Sequence, residues 1–204
     1  MISGPSGVGK GTIKDAVLEK ITDMEVSISA TTRKPRSAET NGRDYFFVDE
    51  GRFQQLINND ELLEWAQVYN NLYGTPRKFV EDNLSRGQDV MLEIDIQGAM
   101  QIKQRKPDGV FIFIAPPSIE ELSLRLATRA QDTPESIKLR LAACKWEMEQ
   151  VRYYDYVVLN HKVQTAVDMV CAIITAERCK VKNFNLESDM IDSSFNQGPN
   201  GSGK

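Results

Sequence analysis

Gly4-Pro5-Ser6-Gly7-Val8-Gly9-Lys10-Gly11-Thr12 is the stretch that decides the fold. Its spacing is the G-x-x-x-x-G-K pattern of a phosphate-binding loop. Glycines are needed because the loop curls around an anion, and backbone N–H groups reach phosphate oxygens only where no Cβ intervenes. Lys10 adds a point charge at the β and γ phosphates of a nucleotide. Ile13, Val17 and Ile21 follow at helical spacing. Thr12 to Ile21 is therefore predicted as a helix whose N-terminus adds partial positive charge beneath the loop. The strict pattern places Ser or Thr directly after the lysine for Mg2+, whereas here Gly11 stands there and the nearest hydroxyl is on Thr12. Such a loop hangs from a buried parallel strand, yet only Met1, Ile2 and Ser3 precede it. The first strand is predicted as a stub, explained either by a truncated start or by neighbours that supply the core. The fold class that follows is α/β, a P-loop three-layer core with a parallel sheet flanked by helices.

Working outward, Glu25 to Ala30 alternates Val26 and Ile28 with serines and reads as a strand. Arg33 and Arg36 then bracket Pro35 in a polar loop, and guanidinium forks suit bidentate contact with a phosphate. Asp49 can cap a short helix with Phe53, Leu56 and Ile57 inward. Leu62 to Val68 reads as a strand, Tyr69 to Gly74 as a turn, and Pro76 to Ser85 as a helix opened by proline. These pieces, residues 33–87, are too rich in strand and hairpin signals for a plain crossover and read as a small α+β lobe that could close on a second substrate.

Val90 to Asp95 is an apolar run ending in acids, the signature of a buried parallel strand whose C-terminal end faces the loop. Glu93 and Asp95 share a face there and could organise Mg2+ waters or accept hydrogen bonds from a base. Asp95 to Gly98 also fits the D-x-x-G of GTPases, but no N-K-x-D accompanies it, so that match is a coincidence. Gly109 to Ala115 is another buried strand, and Ser118 to Glu121 is a capping box that opens a helix with Leu122 and Leu126 inward. Arg125 and Arg129 follow one turn apart, and beyond a polar break Pro134 opens a long helix carrying Arg140, Leu141, Cys144 and Met148. Arginines flanking such a break suit a lid over phosphates, about residues 125–142. Tyr156 to Leu159 is a last strand ended by Asn160, and Thr165 to Lys180 a last amphipathic helix. The organisation expected is a core of residues 1–32 and 88–182, the lobe at 33–87, and a polar, disordered tail at 183–204.

Composition narrows the function. The 204 residues carry 25 Lys and Arg against 29 Asp and Glu, a net charge of −4, so bulk nucleic-acid binding is disfavoured and phosphate affinity must come from local arginines. With 41% apolar residues a real core can be buried, and no apolar run approaches the roughly 18 residues of a bilayer span. Cys144, Cys171 and Cys179 have no CxxC spacing and His161 is the one histidine, which suggests neither a disulfide framework nor a zinc site. No basic region followed by an apolar stretch opens the chain, so a cytoplasmic location is expected. Neither a heptad seam nor a flat apolar face separates a monomer from a homodimer.

Taken in order, GPSGVGKGT, the S-x-S-x-T-T-R-x-P-R stretch from Ser27 to Arg36, NGRDYFFV, EWAQVYNNLYGT, LEIDIQG, FIFIAPPS and the lid arginines resemble guanylate kinases. The resemblance covers about residues 3 to 180. It implies Mg2+-dependent transfer of the γ-phosphoryl group of ATP to GMP, giving ADP and GDP. It further implies that Gly4, Pro5, Ser6, Gly7, Val8, Gly9, Lys10, Gly11, Thr12 and Asn160 bind ATP, and that Lys10, Arg129 and Arg140 stabilise the transferring group. Arg33, Arg36, Tyr45 and Tyr73 would hold the GMP phosphate, and the 33–87 segment becomes a GMP-binding lobe. Ser29, Glu64, Thr75 and Asp95 would read the guanine, and Thr12 and Glu93 would hold Mg2+ through water. Guanine offers N1–H and N2–H2 side by side, and one carboxylate such as Glu64 can accept both. Two other readings use the same motifs: a non-catalytic guanylate-kinase-like interaction module, and a P-loop kinase for another nucleoside monophosphate. The intact Lys10 loop and both lid arginines speak against the first, and Glu64 with the Arg33/Arg36 loop against the second.

Overall fold

The first strand is as short as expected. In the computed structural model, which describes residues 1–128 and 134–183, β1 is Ile2–Ser3 and runs into the glycine loop and helix α1, Lys10–Lys20. The chain continues through β2 (Met24–Val26), β3 (Ala30–Thr31), β4 (Phe46–Phe47), α2 (Glu50–Asn58), β5 (Leu62–Val68), β6 (Asn71–Pro76) and α3 (Arg77–Ser85). It then forms β7 (Asp89–Met91), α4 (Ile96–Arg105), β8 (Ile112–Ala115), α5 (Ile119–Thr128), α6 (Pro134–Glu149), β9 (Tyr156–Leu159) and α7 (Val163–Arg178). Two compact units result, Met1–Cys171 and Ala172–Lys204, and the core and site below belong to the first.

Both edges of this two-residue strand are bonded. On one side Ile2 and Ser3 pair in parallel with Ile112 and Phe113 of β8, and β8 pairs in parallel with β9. On the other side the Ile2 N–H donates to the Leu92 carbonyl at 2.9 Å, and the Ile94 N–H donates to the Ile2 carbonyl at 3.3 Å. Residues 92–94 continue directly from β7, which pairs in parallel with β2. The parallel sheet thus continues on both sides of β1. Phe111 to Ala115 is buried throughout, as a parallel strand covered on both faces should be.

A second, mixed sheet has the order β4-β3-β6-β5, with β3 parallel to β4 and antiparallel to β6, and β5 antiparallel to β6. Its α2 starts where sequence places it, with the Asp49 carboxylate accepting from the Arg52 N–H at 2.7 Å and Phe53 fully buried. This sheet is rooted in the parallel core. Leu63 of β5 and Val80 of α3 pack in one buried cluster with Leu92, Ile94, Ile102 and Phe111. Gln101 of α4 also accepts from the Trp65 N–H and donates to the Trp65 carbonyl.

Three local expectations change. Glu25 to Ala30 is not one strand but β2 and β3, which belong to different sheets. The Ser27 N–H still donates to the Met91 carbonyl at 3.1 Å, and the chain then leaves the parallel sheet for the mixed one. The turn expected from Tyr69 to Gly74 is only Tyr69 and Asn70, because Asn71 pairs with Val68 and β6 runs on to Pro76. The long strands expected at Val90 to Asp95 and Gly109 to Ala115 shorten to β7 and β8, with residues 92–94 joined to β1 alone. The break at 130–133 and the tail from residue 184 lie outside the described residues. Among the described residues, no helix is long and apolar enough to cross a membrane.

Ile2 is 1% exposed at the junction of both halves of the parallel sheet. Ile2→Ala is expected to lower stability by about 2–5 kcal/mol, read as a lower urea midpoint with an unchanged denaturant slope.

Candidate active site

The glycine loop closes against β8 and the end of β9. Gly4, at φ 143°, lies so near the Ile114 carbonyl that a Cβ there would collide with it, which only glycine avoids. Lys10 Nζ folds back to donate to the Gly4 carbonyl at 2.6 Å and the Pro5 carbonyl at 3.1 Å. Asn160 is buried behind the loop; its Nδ2 donates to the Val8 carbonyl at 2.8 Å and its backbone N–H to Ala115. Arg125 braces the same place, donating to the Asn160 carbonyl at 2.9 Å while paired with Glu121, so it acts as a strut behind the loop. Arg140 of α6 reaches the front of the loop, where its Nη1 donates to Ser6 Oγ at 2.9 Å. Arg129 lies outside the described residues.

Two carboxylates stand beyond the loop, at the carboxyl end of residues 92–95. Glu93 pairs with Lys14 Nζ at 3.1 Å, and a Cβ on Gly11 would lie 3.6 Å from its carboxylate. Burial works against the charge on Lys14, but Glu93 and Asp15 outweigh it and hold the amine above its ordinary range. Asp95 caps α4 and accepts from the Gly98 N–H at 2.9 Å. Its pKa is raised, chiefly by burial. Among the described residues no three His, Cys, Asp or Glu side chains gather as a metal site. That donor set fits Mg2+, which keeps several waters and takes one or two carboxylates beside a substrate's phosphates.

Farther along, Glu64 on β5 is 3% exposed and accepts from Thr75 Oγ1 of β6 at 2.6 Å. The first turn of α4 presses on it from the other side, where a Cβ on Gly98 would run into its carboxylate. Burial, with the nearby Asp95, pushes the Glu64 pKa up to about 7 despite the Thr75 bonds.

The far end is aromatic and basic. Tyr45 and Tyr73 meet edge to face at 5.9 Å, and the Arg33 guanidinium lies 5.4 Å from the Tyr45 ring centre. Burial raises the Tyr45 pKa to about 12, so its hydroxyl remains a donor at neutral pH. Arg33 forks onto Glu39 at 2.8 and 2.9 Å, and the Arg36 N–H donates to the same carboxylate at 2.7 Å.

A single cleft gathers these groups. Gly4, Ser6, Gly7, Gly9, Lys10, Gly11, Ser29, Arg33, Arg36, Tyr45, Glu64, Tyr73, Glu93, Asp95 and Arg140 all line it. Pro5, Val8, Thr75 and Asn160 lie buried behind that lining, and Thr12 faces solvent on α1. Sequence reasoning missed Glu39, Lys14, Tyr69 and Glu147. Glu147 lines the cleft, accepts from the Ser6 N–H, and has its pKa pushed up by burial against the pull of Lys10 and Arg140. Its seven-residue spacing from Arg140 on one helix was the available signal; Glu39, in a polar loop, offered none.

A family model described as guanylate kinase matches residues 1–177. The chain belongs to the guanylate kinase family. A guanylate kinase of Syntrophomonas wolfei is 58% identical over 186 residues, 91% of this chain and 95% of that one. A guanylate kinase of Caldanaerobacter subterraneus subsp. tengcongensis is 52% identical over 181 residues, 89% of this chain and 88% of that one. The crystal structure of guanylate kinase from Anaplasma phagocytophilum aligns with a TM-score of 0.75 at 36% identity, covering 88% of this chain and 85% of that chain.

In this family member Glu64 bears on stability as well as on the cleft. A carboxyl whose pKa is higher folded than unfolded favours the fold fully below its unfolded value, and that contribution is lost as pH rises through the folded value. The rise from 4.5 to about 7 corresponds to about 3 kcal/mol at pH 8. Glu64→Gln, which keeps an acceptor for Thr75, is expected to melt above the parent at pH 8, with the gap closing by pH 4 in thermal unfolding.

Proposed function

We propose that ATP occupies the glycine-loop end of the cleft and GMP the end lined by Glu64, Tyr45 and Tyr73, with their phosphates meeting between Lys10 and Arg140. The reaction is that of a guanylate kinase, moving the γ-phosphoryl group of ATP to GMP. The observation that carries the assignment is Glu64: a buried carboxylate, oriented by Thr75 and confined by Gly98, in the same cleft as a phosphate cradle. Guanine brings two adjacent N–H donors to that carboxylate, with Ser29 and Asp95 beside it. AMP lacks the donor pair and would leave the carboxylate buried without its partners, a loss of about 10⁴-fold in kcat/KM by analogy with sites built to bond a polar group.

Arg33, Arg36, Tyr45 and Tyr73 hold the GMP phosphate, whose oxygen attacks the γ-phosphorus in line. No side-chain nucleophile is required, and the protein contributes position and positive charge. Lys10 leaves the loop carbonyls to follow the ATP phosphates, Arg140 reaches the transferring group from Ser6, and Arg129 joins it by family resemblance. Mg2+ carried by ATP would neutralise phosphate charge, with Glu93 in the cleft lining placed to hold it through water; the Thr12 side chain, which faces solvent, lies outside that lining. The lobe at 33–87 and the lid about 125–142 exclude water that would otherwise hydrolyse ATP. The setting is cytoplasmic purine metabolism, with small molecules rather than nucleic acid as partners. A binding-only module has no need of the Lys10 cradle and the Arg140 contact to it.

Coupled measurement of ADP formation with GMP, AMP and UMP tests the reading. GMP alone should be turned over at appreciable rate, and Lys10→Ala should lower kcat about 10²–10³-fold. Turnover of AMP or UMP equal to that of GMP would sink the role given to Glu64. The pH profile offers a separate check, since kcat/KM reports groups of the free enzyme. For the parent, kcat/KM for GMP should fall below about pH 7 as Glu64 takes up a proton and loses acceptor capacity. In Glu64→Gln the fall should begin about one unit lower, where the phosphate of GMP itself titrates near about pH 6.

A further inference from the structure

Arg140 is held from two sides. Ser6 of the glycine loop accepts from it at 2.9 Å, and the ring of Tyr69 lies 5.2 Å from its guanidinium carbon. Tyr69 and Asn70 make the two-residue reversal between β5 and β6, so this ring sits at the tip of the hairpin whose strands carry Glu64, Tyr73 and Thr75.

Two further features of Tyr69 are unusual for a loop tip. Its φ is +56°, in the left-handed region where a bulky side chain is strained and where hairpin reversals favour glycine or asparagine. It is also 41% exposed, yet it lines the cleft together with Arg140. Strain kept at one position in a cleft is a reason to look for a function there. An aromatic face is an attractive surface for a guanidinium, and by lying on one face of the plane it leaves edge N–H groups for phosphate oxygens.

We propose that Tyr69 is a positioning residue for phosphoryl transfer: its ring orients the Arg140 guanidinium, and because it rides on the hairpin that reads the acceptor base, it ties that orientation to the hairpin's placement. The proposal rests on the catalytic role assigned to Arg140. Ser6 fixes where the guanidinium end sits along the glycine loop, and Tyr69 fixes the tilt of its plane. Without the ring the arginine still reaches Ser6 but samples other tilts, so the loss falls on turnover rather than on GMP capture.

Steady-state kinetics of Tyr69→Leu, Tyr69→Phe, Tyr69→Gly and Arg140→Ala, and of Tyr69→Leu combined with Arg140→Ala, test this. Tyr69→Leu is expected to lower kcat about tenfold, the upper range of a ring-to-cation contact, with KM for GMP changed less than about twofold. Tyr69→Phe keeps the ring and should stay within about twofold of the parent. Tyr69→Gly removes the ring but suits the left-handed backbone, so it should melt no lower than the parent and still show the kcat loss. In the Arg140→Ala background, Tyr69→Leu should have no further effect. A Tyr69→Phe loss as large as that of Tyr69→Leu, full activity in Tyr69→Gly, a loss confined to KM, or an undiminished Tyr69→Leu loss in the double variant would each overturn the role of the ring. If Arg140→Ala alone leaves kcat unchanged, the assignment of Arg140 falls first and the Tyr69 proposal with it.

Discussion

Burying a carboxylate is the constraint that shapes the acceptor end of this molecule. An ionised group with so little exposure is tolerated only where polar partners are supplied, and otherwise it takes up a proton. Around Glu64 the polar partner is Thr75 across the hairpin, through its hydroxyl and its backbone, while the tight first turn of α4 at Gly98 packs against the carboxylate. The Asp95 cap starts that turn and also lies close enough to raise the Glu64 pKa. One cluster of groups therefore starts a helix, closes a hairpin and holds a carboxyl near its point of ionisation. Rigid support from strands and a helix gives such a site more precision than loops would.

The cationic groups are prepared in the opposite way, by resident carboxylates. Arg33 is forked onto Glu39, Lys14 is held by Glu93, and the Ser6 N–H already faces Glu147. The Arg33 pair lies beside the cleft lining, so its side-chain geometry is fixed before any ligand arrives. Side-chain order is thus set in the free protein, and less freedom is lost on binding. The Tyr45 and Phe47 rings beside Arg33 add to that order without competing for its N–H groups.

What was legible in the sequence divides along physical lines. The loop from Gly4 to Lys10 was readable because its chemistry is local: glycine conformations, a lysine and a helix start, all within a dozen residues. The Asp49 and Ser118 caps were readable for the same reason, and the structure has both side-chain caps, while the Glu121 carboxylate turns to Arg125. Arg33, Arg36 and Asp95 could be singled out from local chemistry, but Ser29, Tyr45, Glu64, Tyr73 and Thr75 were named only through family resemblance, since β5, β6 and α4 meet by packing that no spacing announces. The partition of Glu25 to Ala30 between two sheets was illegible because hydrogen bonds to β7 and to β6 decide it, not the alternation of side chains. The asparagines at 70 and 71 look like one loop, yet only the first lies in the turn, and pairing with Val68 draws the second into a strand. Glu39, Lys14 and Glu147 were missed because each matters through a partner distant in space or hidden in a polar loop.

The two-residue first strand also has a bearing on how the chain comes to be folded. Lys10 braces the glycine loop locally through the Gly4 and Pro5 carbonyls, but the loop's seat in the sheet comes from segments far along the chain. Gly4 takes its conformation against Ile114, Ile2 is bonded to residues 92–94 and to β8, and Val8 is held by Asn160. All of these partners lie far downstream of the loop in sequence. Closing such long loops is slow, and contacts far apart in sequence form late. The phosphate cradle is therefore among the last features to appear during synthesis, and a nascent chain lacking Asn160 carries the full nucleotide motif without the site.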